Sequence, residues 1–211
     1  MARSIVLASG GIESNTLIAK LVSEGQFVVG LFFDLGLAAN DHNFYCASQM
    51  LNGERGRLET IDVRGLKRTF LQFMSPSSAA GEADKICPDV EFLPIYVSIA
   101  AYYGESSSIS QAYVGFTAEQ MSGDRQAFLE NIGKTFSSYD KDLSTVNFLT
   151  PFAKLTKGEV IEVGSKLGVD FTKTWSCLRG GDEHCGTCEG CKNRKLAFTK
   201  SRVPDPTKYQ V

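Results

Sequence analysis

Four cysteines near the end of the chain have the spacing of a metal site. Cys185, Cys188 and Cys191 follow one another at C-x-x-C intervals, and Cys177 lies one loop upstream. Glycines allow the chain to fold back around a tetrahedral cation, and four stand between or beside these thiols: Gly180, Gly181, Gly186 and Gly190. Four thiolates that leave no ligand position open favour a structural Zn2+. A disulfide pair and an iron–sulfur cluster are the alternatives.

Two further features of this segment are predicted to be structural. His184 competes as a ligand, but its adjacency to Cys185 makes joint ligation strained, so we predict a surface histidine. The basic residues of 192–195, with Lys200 and Arg202, are the best candidate for a polyanion patch, although such a run is more typical of a solvated helix face.

A glycine-rich turn near the start of the chain is the second candidate for chemistry. It reads Ser9-Gly10-Gly11-Ile12-Glu13-Ser14 and lies between an apolar run and a helical pattern. Glycines let backbone N–H groups approach an anion, and the positive end of the following helix points at the same place. Ser9 and Ser14 add hydroxyl donors. Small residues are common at such corners, so phosphate binding and a plain structural turn remain equally open on this pattern alone.

Composition limits the classes of protein that the chain can belong to. With 211 residues and 43% hydrophobic content, one full core and a single domain over 1–211 are expected, with the metal-binding segment at 174–202. No long apolar run or leader pattern is found, so we expect a cytoplasmic protein without a membrane anchor. The net charge of −2 predicts no binding to long nucleic acid. Cys46 and Cys87 are expected to be free thiols.

The pattern of elements predicts how these groups are positioned. Apolar runs predict strands at Ser4–Ala8, Phe27–Phe33, Arg57–Val63, Ser110–Gly115 and Thr145–Leu149. Helices are expected at 12–21, Asn43–Leu51, Leu93–Tyr103, Asp124–Phe136 and Lys157–Leu167, the last closed by Gly168. Strands that alternate with helices indicate an α/β fold with a doubly wound parallel sheet of about five strands. The stretch Ser75–Asp84 reads as a polar connection, and the tail from Val203 to Pro206 as a frayed end.

Two motifs together resemble a known family. The run 9–14 looks like the S-G-G-x-D-S pyrophosphate loop of the N-type ATP pyrophosphatases. Thr174-Trp175-Ser176-Cys177, followed by the C-G-x-C-x-x-C-x-x-R pattern that ends at Arg194, resembles the 7-cyano-7-deazaguanine synthases (QueC). Thr150-Pro151-Phe152 with the segment from Leu155 to Glu159 and Leu167-Gly168 is similar to that family's T-P-L…L-x-K-x-E…L-G. The resemblance covers most of the chain in the right order.

The resemblance implies a fold, ligands and site residues. It implies an adenine nucleotide alpha hydrolase-like fold, a structural Zn2+ on the four cysteines, ATP with Mg2+ as co-substrate, and a homodimer. The residues expected to contact the nucleotide are Ala8, Ser9, Gly10, Gly11, Ser14, Asn15 and Gly115. Those expected to take part in catalysis are Glu13, Ser14, Asp34, Asp124 and Arg125.

The sequence departs from the family where the chemistry should lie. The family's loop Asp is Glu13, and its F-D-Y-G-Q-R-H stretch appears as Phe33-Asp34-Leu35-Gly36-Leu37. Its P-G-R-N aligns with Pro88-Asp89-Val90-Glu91, which removes an arginine, and its D-Y-S-G-Y-P-D-C-R-x-x-F loop is shortened within 120–128. Loss of a cation that contacts phosphate costs a few kcal/mol in the transition state. Lys154 and Arg125 are the candidates to replace it.

Three functions follow from this resemblance. The first is an ATP-dependent ligase of queuosine biosynthesis that adenylates a deazapurine carboxylate, 7-carboxy-7-deazaguanine, and condenses it with ammonia or another amine. The second attaches the deazaguanine to an amine of a protein or another macromolecule, since QueC-like proteins occur in bacterial antiviral defence cassettes. The third is a degenerate relative that binds nucleotide without turnover.

Overall fold

The five strands predicted from the apolar runs form one parallel sheet. The structure is a computed structural model that describes residues 1–51, 53–66, 92–139 and 145–210. Its strands are β1 (Arg3–Leu7), β2 (Phe27–Asp34), β3 (Gly56–Asp62), β4 (Gln111–Tyr113) and β5 (Asn147–Leu149), in the order β3-β2-β1-β4-β5. Each neighbouring pair is parallel, with Ile5 beside both Val29 and Ala112. The strand order reverses at β1, so the switch point lies between β1 and β4.

Six helices of the described chain surround the sheet, and the last of them packs against the fifth. They are α1 (Ile12–Ser23), α2 (Asn40–Met50), α3 (Leu93–Ser106), α4 (Gly123–Tyr139), α5 (Lys157–Lys166) and α6 (Glu189–Ser201). A short 3-10 turn, Phe171–Lys173, precedes the cysteines. None of the helices in the described part of the chain is long and apolar enough to span a bilayer.

Apolar side chains fill both faces of the sheet. On one face Ile5 and Val29 pack with Val97 of α3 and Leu129 of α4. On the other, Val6 and Val28 pack with residues of α1, α2 and α5, among them Leu17, Ala47 and Val160. Strands buried on both faces require near-continuous apolar runs, and this is the pattern that identified β1 and β2 in the sequence. The doubly wound α/β fold is confirmed.

Most differences between predicted and observed elements are at their ends. Helix α2 begins at Asn40, three residues before the predicted start, and α4 continues to Tyr139. Strands β4 and β5 are shorter than predicted because only three residues of each join the ladder. Gly168 has a φ of +74° and follows α5 as expected. The predicted polar stretch Ser75–Asp84, Cys87 and the segment Pro88–Glu91 lie outside the described residues.

Candidate functional site

The glycine-rich turn, which we call the Ser9 loop (residues 9–14), connects β1 to α1 at the switch point of the sheet. Gly10 has a φ of +73°, and a Cβ there would stand 2.1 Å from the carbonyl oxygen of Asn43 in α2. Only glycine tolerates both the left-handed backbone and that close approach. Gly11 is the N-cap residue of α1 and has an ordinary φ of −77°. Gly10 is therefore required by its backbone conformation and by the close approach of α2, whereas Gly11 has a backbone conformation that other residues also adopt.

Hydroxyl groups and free amides converge at this loop. The Ser9 Oγ donates to the Ser14 Oγ at 3.2 Å, and the Ser14 Oγ donates to the Gly11 carbonyl at 3.3 Å. Gly11 makes no side-chain cap, so the N–H groups in the first turn of the 12-residue α1 have no partner within the helix. Such a helix start attracts an anion through its N–H groups and its dipole.

Gly115 brings the end of β4 against the same turn. A Cβ on Gly115 would lie 3.2 Å from the Glu13 carbonyl carbon and 3.3 Å from the Ser14 nitrogen. Ala8, at the other side of the switch point, is buried and its N–H donates to the Leu31 carbonyl at 2.9 Å. The two predicted residues thus lie beside the Ser9 loop and shape it through their backbone.

Glu13 is paired with a lysine. Its Oε1 lies 2.7 Å from Lys157 Nζ, and both side chains are mostly buried. Thr156 and Glu159 form a reciprocal capping box, which fixes the first turn of α5 and places Lys157 toward the Ser9 loop. Lys154, one of the two cations predicted to compensate for the lost arginine, is exposed. Among the described residues, Lys157 is the cation whose ion pair reaches the loop, and the T-x-x-E pattern of 156–159 is the signal that identifies its helix start.

Asp34 and Arg125 make their side-chain contacts outside the Ser9 loop, and the Asp34 Oδ2 also lies 3.8 Å from the Arg64 Nε. The Asp34 Oδ1 accepts hydrogen bonds from the Gly36 N–H and the Asn40 amide, both at 2.8 Å. Arg125 donates to the carbonyl oxygen of Gln120, and Asp124 is exposed in the first turn of α4. Of the residues predicted to be catalytic, Glu13 and Ser14 therefore lie in the Ser9 loop, whereas Asp34, Asp124 and Arg125 lie in neighbouring turns.

Asn15 is completely buried, away from the loop surface. Its amide nitrogen donates to the Cys46 carbonyl at 3.2 Å and to the Lys173 carbonyl at 3.0 Å. The side chain therefore joins α1 to α2 and to the segment ahead of the cysteines. A direct contact of this nitrogen with nucleotide would displace one of these bonds.

The four predicted cysteine ligands come together. Their sulfur atoms all lie within 4.8 Å of one another, with Cys185 to Cys191 at 3.9 Å and Cys177 to Cys188 at 4.0 Å. Four bonds of about 2.3 Å at tetrahedral angles put sulfur atoms about 3.8 Å apart, so the cluster fits one ion at its centre. The observed separations are well beyond the roughly 2.05 Å of an S–S bond, so the four cysteines do not form the alternative disulfide pair in this structure.

Backbone N–H groups are directed at these sulfur atoms. The Cys185 N–H donates to the Cys177 Sγ at 3.4 Å, and the Cys188 N–H donates to the Cys185 Sγ at 3.3 Å. Burial acts to raise the pKa of the Cys185 thiol, but hydrogen bonds from Thr187 and Cys188 outweigh it and bring the pKa to about 6. Donors around a thiolate stabilise the form that binds metal.

The cysteine segment, residues 174–202, which we call the cysteine arm, is bonded directly to the Ser9 loop. The Trp175 N–H donates to the Gly10 carbonyl at 2.9 Å. The Trp175 ring is stacked on His42 at 4.0 Å, and the His184 ring lies 4.1 Å away on the arm. No pattern in the sequence links His42, in α2, to this segment.

The prediction of a surface His184 is wrong. The side chain is 5% exposed, and its Nε2 accepts a hydrogen bond from the Ser176 N–H at 3.1 Å. Burial lowers its pKa to about 4, so the imidazole is neutral and can accept. The segment after the arm pairs with it, since the Gln210 N–H donates to the His184 carbonyl at 2.9 Å.

The predicted solvated helix face is confirmed at Lys192, Lys200 and Arg202, which are exposed, but Arg194 and the frayed tail are corrected. Arg194 is completely buried and donates to Thr174, Phe171 and Thr207, with the Asp205 carboxylate 3.8 Å from its Nε. These bonds satisfy the guanidinium inside the protein and hold the tail, which explains why a charged residue is tolerated there.

Comparison with known proteins identifies the family. The family model described as "Queuosine biosynthesis protein QueC" matches residues 3–202. Proteins named 7-cyano-7-deazaguanine synthase are similar, one from Thermoplasma acidophilum (29% identity, 99% of this chain, 92% of the relative) and one from Desulfotalea psychrophila (29%, all of both chains). The solved structure of NMN synthetase from Francisella tularensis shares the fold, with a TM-score of 0.54 and 12% identity over 97% of this chain and 78% of that one. The chain therefore belongs to the QueC family.

Proposed function

We propose that this protein adenylates the carboxylate of 7-carboxy-7-deazaguanine and condenses the activated acid with ammonia or another amine. The observation that carries the proposal is the Ser9 loop, an open helix start with hydroxyl donors at the switch point of a QueC-family chain. The relatives' name, 7-cyano-7-deazaguanine synthase, supports the choice of a deazapurine acid.

The reaction has two balanced steps. A carboxylate oxygen attacks the α-phosphorus of ATP, the bond to the β-phosphate oxygen breaks, and pyrophosphate leaves. The amine nitrogen then attacks the acyl carbon, the carbon–oxygen bond to AMP breaks, and the amine loses a proton. Mg2+ as a co-substrate ion would neutralise charge on the departing pyrophosphate.

The loop's own groups suit the first step. We place the phosphates against the hydroxyls of Ser9 and Ser14 and the backbone of Gly10 and Gly11, where the α1 dipole favours negative charge. Lys157 stands 2.7 Å from Glu13 and is held there by the capping box. A lysine poised at this distance can exchange its carboxylate partner for a phosphate oxygen as negative charge develops.

The cysteine arm suits a closed structural site. Cys177, Cys185, Cys188 and Cys191 would supply all four ligands of a Zn2+, which leaves no position for a substrate or a water. When bound, such an ion cross-links the arm and contributes folding energy.

We further propose that the amide is the main product and that nitrile formation is weak. In the family a second adenylation dehydrates a primary amide, and the substitutions in this chain fall around the nucleotide and the deazapurine. The loop ahead of α4 is shorter than the family's substrate loop, and a shorter loop would leave room for an amine larger than ammonia. A larger amine gives a secondary amide, which cannot be dehydrated to a nitrile.

Product masses test this proposal. The protein is incubated with ATP, Mg2+ and 7-carboxy-7-deazaguanine, and with ammonia or candidate protein amines. We expect AMP, pyrophosphate and an amide. Efficient conversion to the nitrile would show that the substitutions are harmless, and no turnover with any amine would favour a nucleotide-binding relative without activity.

A further inference from the structure

The Ser9 loop is held from two sides at Gly10. On one side the Asn43 backbone of α2 packs so closely that a Cβ on Gly10 would lie 2.1 Å from its carbonyl oxygen. On the other side the Trp175 N–H binds the Gly10 carbonyl at 2.9 Å. The conformation of the loop therefore depends on the separation between α2 and the cysteine arm.

An aromatic stack sets that separation. His42, the neighbour of Asn43, lies on the Trp175 ring with a centroid distance of 4.0 Å and an interplanar angle of 9°. Trp175 is 9% exposed, so the contact is largely shielded from water. Gly180 makes a second close approach to this region, since a Cβ on Gly180 would lie 2.3 Å from the carbonyl oxygen of Ala38, just before α2.

The Trp175 ring is also bonded to the segment that carries the four cysteines. The Trp175 indole N–H donates to the Cys177 carbonyl at 2.8 Å, so the ring is bonded to a ligand residue. The His184 ring, which precedes Cys185, lies 4.1 Å from the Trp175 ring. Arg194 holds the backbone ahead of it through the Thr174 hydroxyl at 2.8 Å and the Phe171 carbonyl at 2.8 Å. Trp175 is therefore in direct contact with two residues of the metal-binding segment, Cys177 and His184.

We propose that Trp175 is a positioning residue that transmits the metal state of the cysteine arm to the Ser9 loop. Metal on the four sulfurs fixes the Cys177 and Cys185 backbone, the stack with His42 closes the arm on α2, and Gly10 is held in its anion-receiving conformation. That ATP phosphate is the ligand of the loop rests on the proposed function. The contact between the cysteine arm and the Ser9 loop does not depend on it.

The test removes the stack and keeps the metal ligands. His42→Ala loses the aromatic face, His42→Phe restores it, and Tyr45→Ala, an exposed neighbour on the same helix, is the matched control. For each variant we would measure metal content, ATP affinity by calorimetry, and emission of Trp175, the only tryptophan in the chain. Should the alanine variant fail to retain metal, His42→Leu takes its place.

We expect His42→Ala to retain metal and to bind ATP about threefold to tenfold more weakly, the range that aromatic pair energies convert to. Its kcat should change little, its Trp175 emission should shift, and His42→Phe should recover the affinity. Chelation of the wild-type metal should weaken ATP binding and shift emission in the same direction. Equal ATP affinity in wild type and metal-loaded His42→Ala would overturn the proposal.

Hydrogen exchange separates this proposal from the function of the loop. If the wild-type protein binds no ATP, the proposed function fails, and the connection is judged on the exchange of the backbone amides of 8–15. Faster exchange in His42→Ala and after chelation supports the connection, and unchanged exchange in both rejects it.

Discussion

The cysteine arm and the carboxyl edge of the sheet around the Ser9 loop differ in how their groups are assembled. We call this edge the nucleotide edge because we propose that ATP binds there. All four thiols of the arm come from one short segment and meet within 4.8 Å. At the nucleotide edge the acids come from separate turns, and only Glu13 of the predicted catalytic acids lies in the Ser9 loop, where it pairs with Lys157. A site built within one segment keeps its geometry when distant loops change, whereas a site shared among turns changes with each of them.

The largest expected effect comes from breaking the arm itself. Cys188→Ala should remove the metal and unfold the arm, because binding at a structural zinc site is worth about 10 kcal/mol or more of folding energy. Cys46→Ala is the control, since Cys46 is buried and free but outside the cluster. Elemental analysis and thermal unfolding would show the difference. Metal content near one equivalent in Cys188→Ala would reject the four-cysteine site.

The second effect separates the two glycines of the Ser9 loop. Gly10→Ala meets the Asn43 carbonyl at 2.1 Å with a left-handed φ, so both stability and ATP binding should fall. At Gly11 a Cβ comes no closer than 3.3 Å, to the Ser9 Oγ, so Gly11→Ala should fold. It should weaken ATP binding by about tenfold to a hundredfold, because the new Cβ would crowd the Ser9 Oγ and cost that hydroxyl its hydrogen bond to a charged phosphate.

Calorimetry with ATP and thermal unfolding of both variants provide the measurement. Gly168→Ala is the control for backbone strain alone, because Gly168 has a φ of +74° and nothing within 4 Å of its Cβ position. Unchanged ATP affinity in Gly11→Ala would move the phosphate site away from the helix start.

The third effect concerns the ion pair at the nucleotide edge. Glu13→Gln should lower kcat for pyrophosphate release by about a hundredfold, because Lys157 loses the carboxylate that positions it beside the phosphates. Stability should also fall, by more than the roughly 1 kcal/mol of an exposed ion pair, because both side chains are mostly buried and Lys157 is left without its partner. Glu13→Asp, which withdraws the carboxylate by one bond, tests geometry alone. Glu54→Gln, in an exposed turn, is the control. Full activity in Glu13→Gln would remove Glu13 from the reaction.

The smallest effect tests whether the tail belongs to the arm. The Tyr209 hydroxyl donates to Asp205 at 2.6 Å, and Asp205 lies beside the buried Arg194. Tyr209→Phe should therefore cost about 1 kcal/mol of unfolding free energy. Tyr102→Phe, at a side chain that is 66% exposed, should cost nothing measurable. Equal unfolding midpoints for the two variants would show that the tail is frayed, as its sequence suggests, and does not stabilise the arm.

Local patterns predicted the sheet and the cysteine cluster, because both depend on spacing within a few residues. Apolar runs identified β1 and β2, and the C-x-x-C intervals brought three ligands together with Cys177 upstream. Contacts between distant segments could not be read in this way. Nothing near Arg194 indicates that Thr174 and Thr207 will satisfy its guanidinium, and nothing near His42 indicates a stack on Trp175. These pairings depend on how α2 and the arm meet around the Ser9 loop.

Transfer of a heavy-oxygen label tests the central claim most directly. The carboxylate of 7-carboxy-7-deazaguanine is labelled, and the protein is supplied with this acid, ATP, Mg2+ and ammonia. Adenylation of the carboxylate predicts AMP that carries one labelled oxygen, together with unlabelled pyrophosphate and an amide. Formation of ADP and phosphate, or of AMP without label, would contradict it.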